Sequence, residues 1–238
     1  MRAFGHATDL DLDFGQADRP GLVTTLLAQC DGERGPAFWW TQSVSTRIAA
    51  LLRLVASTEG RERFSLHARC AAPECGEAYE FELPLEAVVA AHGEGDPVVA
   101  QLGADRSVTL RRPTGDDLRA WREAQPQSHA AAKRMMLESL LIAGDAQLAD
   151  EAALSAALSR GDPLVDFAVA CSCPVCGAAN DVEVDLEMLA LARLAVRQRT
   201  LIEEVHGLAL RYGWTEREVL AIPPLRRARY LALIEGER

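Results

Sequence analysis

Six cysteines are the residues of this chain best suited to chemistry, and four of them fall into two short clusters. One reads Cys70-Ala-Ala-Pro-Glu-Cys75-Gly76 and the other Cys173-Pro174-Val175-Cys176-Gly177. Two cysteines separated by two to four residues can present both sulfurs to a single tetrahedral ion, and two such pairs complete a closed four-thiolate zinc site with no coordination position left for substrate. The glycine after each pair permits the tight turn that aims backbone amides at sulfur. The predicted ligands are Cys70, Cys75, Cys173 and Cys176, holding one structural Zn2+. Cys171 stands as an alternate, because aligning the two clusters on their Cys-Gly steps places it opposite Cys70. Cys30 stands alone and is expected to be a small buried residue. His67 lies near the first cluster but is expected to pack or face solvent.

Each cluster has to be positioned by the elements around it. Phe64, Leu66 and Ala68 alternate with polar residues before Cys70, as do Tyr79, Phe81 and Leu83 after Cys75. Period-two alternation predicts an antiparallel hairpin with one buried face. The second hairpin is expected over roughly Leu164 to Val184. At an offset of 101 residues the second strands match, Tyr79–Glu86 against Asn180–Glu187, which suggests an internal repeat of one helix–hairpin–helix unit. The predicted fold class is α+β: helices flanking two zinc-knuckle hairpins, followed by a C-terminal helical hairpin.

Reading outward, residues 1–37 carry acidic residues and Gly/Pro breaks and are expected to be irregular, with Leu22–Leu27 as one short strand or helix. Residues 38–112 form the first helix and hairpin unit, 113–188 the second, and 189–238 the helical end. Trp39, Val44, Ile48, Leu51, Leu52 and Val55 recur at helical spacing up to Gly60. A Gly-rich break at Gly93, Gly95 and Pro97 leads to a further hairpin, Val98–Leu102 with Ser107–Leu110. Thr114 or Asp116 caps the next helix. Ala130–Ala143 and Ala152–Leu158 read as helices. Leu186–Tyr212 is a long one, with Leu194, Leu201 and Leu208 seven residues apart, a stripe suited to another helix. Thr215 to Glu218 is a capping box, and Leu225–Ile234 is the last helix.

Composition narrows the function classes. The net charge is -10, and the part before Leu189 holds 16 basic and 29 acidic residues, so phosphate backbone is not expected to be the main partner. No apolar run reaches the roughly 20 residues of a membrane helix. The start, Met1 to His6, lacks the apolar core of a secretory signal, and cysteine pairs in a reducing, cytoplasmic compartment favour metal over disulfides. No HExxH, GxSxG, P-loop or dinucleotide fingerprint occurs, so neither catalysis nor a small-molecule substrate is expected. Trp39, Trp40, Tyr212 and Trp214 are the candidates for partner contacts, since large aromatics anchor interfaces.

The order of segments is also informative. Ser45-Thr-Arg-Ile-Ala-Ala-Leu-Leu-Arg53 precedes the first cluster, and Val108-Thr-Leu-Arg-Arg-Pro-Thr-Gly-Asp-Asp117 follows it. Asp162-Pro-Leu-Val-Asp-Phe167 runs into the Cys-Pro-x-Cys-Gly turn. Leu201-Ile-Glu-Glu-Val-His-Gly-Leu-Ala209 leads to Tyr212-Gly-Trp-Thr-Glu-Arg-Glu-Val-Leu220. Over roughly residues 38–235 this resembles baseplate hub assembly proteins of the T-even phage type and related proteins of phage-like injection systems. The first cluster departs from the tighter Cys-Pro-x-Cys-Gly form. The resemblance implies a non-enzymatic role in assembly or structure of a contractile tail baseplate, other baseplate or tail proteins as partners, and a place in the cytoplasm or in a phage-like particle. A zinc-ribbon regulator that binds nucleic acid is the alternative.

Overall fold

The main core is built between two helices, α4 (Val44–Glu59) and α9 (Leu186–Tyr212). The computed structural model describes residues 1–90, 97–101, 107–144 and 151–236. Ser43 caps α4 by accepting from the Thr46 amide at 3.2 Å, and Asp185 caps α9 by accepting from the Met188 amide at 2.8 Å. Ile48, Leu51, Leu52 and Val55 of α4 then meet Leu186, Ala190, Leu191, Leu194 and Leu201 of α9 in one buried cluster. Arg193 fixes the register of the two helices through a bidentate ion pair to Glu59, both contacts at 2.8 Å.

The N-terminal stretch is more ordered than its Gly and Pro breaks suggest. After the single turn α1 (Ala7–Leu10), residues Arg19–Asp31 form helix α2, and Leu22, Val23, Leu26, Leu27 and Cys30 join the α4–α9 core. Pro20 lies in the first turn of the helix, where a missing N–H costs nothing, and Asp18 caps it through the Gly21 amide at 3.2 Å. The turn α1 is tied down by Asp9, which is fully buried and takes both Arg2 guanidinium nitrogens at 2.6 and 2.7 Å together with the Gly5 and His6 amides. Residues from all four stretches of the chain therefore meet in this core.

A short helix, α3 (Pro36–Thr41), precedes α4, so the helical pattern from Phe38 onward is split at Gln42–Ser43. The buried Arg47 of α4 donates to the Trp39 carbonyl at 3.2 Å and to the Pro20 carbonyl at 2.7 Å, joining α2, α3 and α4. Burial holds its guanidinium pKa down at about 10, with Glu187 and Asp116 opposing the fall. A Cβ at Gly115 would lie 2.8 Å from the Trp40 carbonyl oxygen and would run into the buried Arg47 guanidinium, so glycine is favoured where helix α6 (Gly115–Ala124) begins. Thr114 and Asp117 form its capping box.

Three small antiparallel sheets complete the fold. Strands β1 (Arg63–Arg69) and β2 (Ala78–Pro84) pair from Arg63↔Pro84 to Arg69↔Ala78 and run into helix α5 (Leu85–Ala90). Strands β3 (Val98–Gln101) and β4 (Ser107–Leu110) pair as expected; the break at Gly93 and Gly95 and the end at Leu102 lie outside the described residues. Helix α7 (His129–Leu140) stops earlier than its sequence suggests, because Leu141–Ala143 becomes strand β5 on the open side of β4. This sheet and helix α8 (Glu151–Gly161) enclose a second core of Val98, Ala100, Val108, Leu110, Leu140, Leu154 and Ala157.

The last sheet is β6 (Ala168–Ser172) with β7 (Ala179–Glu183), feeding directly into α9. Beyond Gly213, α10 (Glu216–Ala221) and α11 (Pro224–Gly236) turn back onto α9. Glu204 of α9 holds them by accepting from Arg197 at 3.0 Å and from the buried Arg227 at 2.7 Å. The architecture is thus mixed α and β, with 11 helices and sheets of two, three and two strands among the described residues. No helix among them is long and apolar enough to cross a membrane.

Candidate metal centre

The turn of the first hairpin begins where the Cys70 amide donates to the Glu77 carbonyl at 2.9 Å. In the second hairpin the Cys173 amide donates to the Ala178 carbonyl, also at 2.9 Å. Cys70 and Cys173 therefore hold equivalent positions, each one step beyond the last strand pair. Residues 71–76 fill the first turn and 174–177 the second, so the first carries two extra residues. Both turns close on a glycine in the left-handed region, Gly76 at φ 60° and Gly177 at φ 75°, where any other side chain would be strained. Arg69 steadies the longer turn by donating to the Gly76 carbonyl at 2.7 Å.

The two turns meet. The sulfurs of Cys70, Cys75, Cys173 and Cys176 all lie within 4.8 Å of one another. Two of the contacts cross between hairpins: Cys70 to Cys176 at 3.6 Å and Cys75 to Cys173 at 3.9 Å. Four sulfurs about 2.3 Å from a tetrahedral ion are about 3.8 Å apart, so this spacing suits one metal ion. The ligand set predicted from the sequence is the set that converges, and it could hold a single ion.

Backbone dipoles support the same chemistry. The Ala72 amide favours the Cys70 thiolate, although burial and the Cys176 and Cys173 sulfurs still leave that thiol above its ordinary range. At Cys75 the Glu77 amide lowers the pKa, but burial and the three neighbouring sulfurs push it up to about 12. Cys173 moves the other way, to about 7, chiefly through the Cys176 amide and also that of Val175. The Cys173 sulfur ionises near neutrality while those of Cys70 and Cys75 resist. Four sulfurs this close ionise together only around a cation, which a dication supplies.

Cys171 lies outside the group. It sits two residues before Cys173 on β6, and its sulfur is 3.1 Å from the Tyr79 hydroxyl. That contact, together with burial, raises the Tyr79 pKa to about 12. The sequence alignment paired Cys171 with Cys70 because it allowed no difference in turn length. His67 points away from the sulfurs, exposed on β1 opposite Glu80. Cys30 is fully buried in the main core, as expected, and burial pushes its thiol up to about 12.

Asn180 is a residue that the cysteine pattern could not reveal. Its Oδ1 accepts from the Ala71 amide of the first turn at 2.7 Å, and its Nδ2 donates to the Ala178 carbonyl at 2.9 Å. It bridges the hairpins just behind the sulfurs. A lone amide side chain among strand residues is the only signal it left in the sequence.

The aromatic candidates divide. Trp39 is only 3% exposed and fills the core, so its side chain is not on a docking surface, contrary to expectation. Trp40 is half-buried between the guanidinium groups of Arg47 at 5.2 Å and Arg119 at 4.6 Å. Tyr212 and Trp214 stack at 4.6 Å, and both rest against Tyr230 of α11, a third member not anticipated. Tyr212 remains exposed.

Comparison with protein-family models, curated proteins and solved structures finds no match to this chain.

Proposed function

We propose that this chain is a non-enzymatic assembly or structural protein of a contractile phage tail or injection-system baseplate, stapled by one structural zinc ion and acting through protein–protein contacts. The observation that carries the metal half of this reading is the convergence of four sulfurs from two turns about a hundred residues apart. A four-thiolate set suits zinc in a closed structural role, with iron the other ion that favours tetrahedral sulfur. Cys70 and Cys75 would hold the ion from one hairpin, Cys173 and Cys176 from the other. The ion would supply cross-linking and charge neutralisation, not reactivity. The likeness of the two turns and their flanking helices supports an internal repeat, each half giving two ligands.

The process rests on the resemblance of residues 38–235 to baseplate hub assembly proteins. The mechanism that fits is presentation of a surface. The second hairpin leads straight into α9, so clamping the hairpins sets the direction of the longest helix, and the exposed edge of the Tyr212–Trp214–Tyr230 cluster lies at its far end. Two measurements test the two halves. Elemental analysis should give one zinc per chain and nearly none in Cys176→Ser; equal zinc in both, or iron in its place, overturns the metal assignment. Affinity capture from the producing cells should recover sheath, tube or spike proteins. Recovery of nucleic acid with steeply salt-sensitive binding overturns the process.

A further inference from the structure

Helix α9 uses one of its two long faces. Leu194 and Leu201 enter the main core and Leu208 is buried as well, so the leucine stripe is consumed inside the molecule. The opposite stripe is Ala192, Val196, Arg199, Glu203, His206 and Leu210, and every one of these residues is exposed. Val196, in the middle of the helix, is 51% exposed, and Leu210, in its last turn, is 78% exposed. Successive members lie alternately four and three residues apart, which is the spacing of a coiled-coil seam. Ile202 is exposed beside it. Among the described residues, neither Arg199 nor Glu203 makes an ion pair with its own chain.

The order of residues along this stripe is self-complementary. In an antiparallel pair of such helices, the two alternating sets of seam positions face one another. With a twofold axis at Leu201, Arg199 faces Glu203 of the second copy, and Glu203 faces its Arg199. Leu210, the largest apolar member, faces Ala192, the smallest. Val196 faces His206, and the two copies of Ile202 lie beside the axis. A parallel pair would instead set Arg199 on Arg199 and Glu203 on Glu203, opposing like charges. At about 1.5 Å per residue the seam from Ala192 to Leu210 is about 27 Å long, five turns of helix.

We infer that the outer face of α9 is a self-association surface, on which α9 of a second copy of this chain packs antiparallel. The charged pair selects orientation, and the small–large pair at each end sets register. The inference stands apart from the metal reading, since none of these residues is near the sulfurs in sequence.

The test is the mass of the full, metal-loaded chain in solution, by sedimentation or light scattering over a dilution series from sub-millimolar to about micromolar. The wild type should be a dimer at the upper end. Arg199→Glu alone should weaken it by at least about tenfold, as should Glu203→Arg alone, because each sets like charges opposite one another twice. The double exchange, Arg199→Glu with Glu203→Arg, should restore the dimer. Both positions are exposed and both replacements favour helix, so circular dichroism should not change. A wild type that is monomeric throughout overturns the inference. So does a dimer indifferent to the single exchanges, and so does a monomer that uses this stripe to bind a different protein.

Discussion

Around α4 and α9, 25 buried apolar residues form one cluster, drawn from the first helix turns to the middle of α9. At the tips of the two cysteine hairpins the corresponding cluster has, among the described residues, three buried members, Cys70, Tyr79 and Cys173. Burying a large aliphatic side chain stabilises by roughly 1.5–3 kcal/mol, so the helical region can hold itself together by exclusion of water alone. The hairpin tips cannot. They are two-stranded ribbons, which are marginal in isolation, and they must bring together sulfurs 98 and 106 residues apart in sequence. The contrast teaches where a metal would add most: at a place where the chain closes a loop of about a hundred residues over its smallest buried cluster among the described residues.

The strongest way to break that comparison is to deny the four sulfurs a metal ion. A chelator, or Cys173→Ser, should strip hydrogen-exchange protection from the amides of β1, β2, β6 and β7 while α4 and α9 keep theirs, since structural metal binding is coupled to local folding. The reciprocal change is Leu52→Ala. Leu52 is wholly buried in the helical cluster, and truncation should cost about 3 kcal/mol there while leaving metal stoichiometry unchanged. If chelation instead unfolds the chain in a single step, the two regions are one cooperative unit and the distinction fails.

A second change sharpens it from the side of electrostatics. Asp9 is buried with Arg2 and two backbone amides; burial alone would raise its pKa, but the Arg2 hydrogen bonds and the Gly5 and His6 amides outweigh that and hold it below the ordinary carboxylate range. A depressed folded-state pKa stabilises at pH values above the unfolded value, about 3.9, and that contribution disappears as pH falls through the folded value. Asp9→Asn should therefore cost about 2 kcal/mol at neutral pH, less than a fully enclosed pair because Arg2 is partly exposed. In acid the variant and the wild type should converge. Denaturant melts at neutral and acidic pH check this; a gap that persists in acid means that Asp9 acts through packing and not through its charge.

How much of this could be read from the chain depends on the kind of constraint. The four ligands were legible because sulfur chemistry and turn geometry both act over a few residues. The repeat position of Cys70 was less legible: an ungapped alignment set it against Cys171, although the cysteine spacing, four residues against two, already marks the longer first turn that the strand register shows. Helix α9 was legible to its ends, since its caps and its leucine stripe are local. Helix α2 was hidden by Pro20-Gly21, which reads as a break in the middle of a segment and as a start at its edge. Strand β5 was hidden because Leu141–Ala143 continues a helical pattern, and only the open side of β4 overrides it. Trp39 and Trp40 are adjacent in sequence, yet one is core and the other lies against two arginines, because neighbouring residues of α3 face different sides and only the packing of that helix decides which side is buried.

The smallest of the expected effects is the most discriminating, because Asn180 touches both hairpins without being one of the four candidate ligands. Replacing it by alanine leaves the Ala71 amide and the Ala178 carbonyl without these partners, a loss of about 1–2 kcal/mol in the docking of the hairpins. If the sulfurs are held at tetrahedral spacing by their surroundings, metal affinity should fall by about tenfold, as it does when outer partners of a metal site are removed. The melting of α4 and α9 should not move. Asn180→Asp separates the two bonds: it keeps the acceptor for the Ala71 amide and loses the donor to Ala178. Competition against a chromophoric chelator should then place aspartate between asparagine and alanine if the bond across the hairpins matters more. If aspartate binds as weakly as alanine, the bond within the second turn is the one that positions Cys173, and the bond across the hairpins adds nothing to metal affinity.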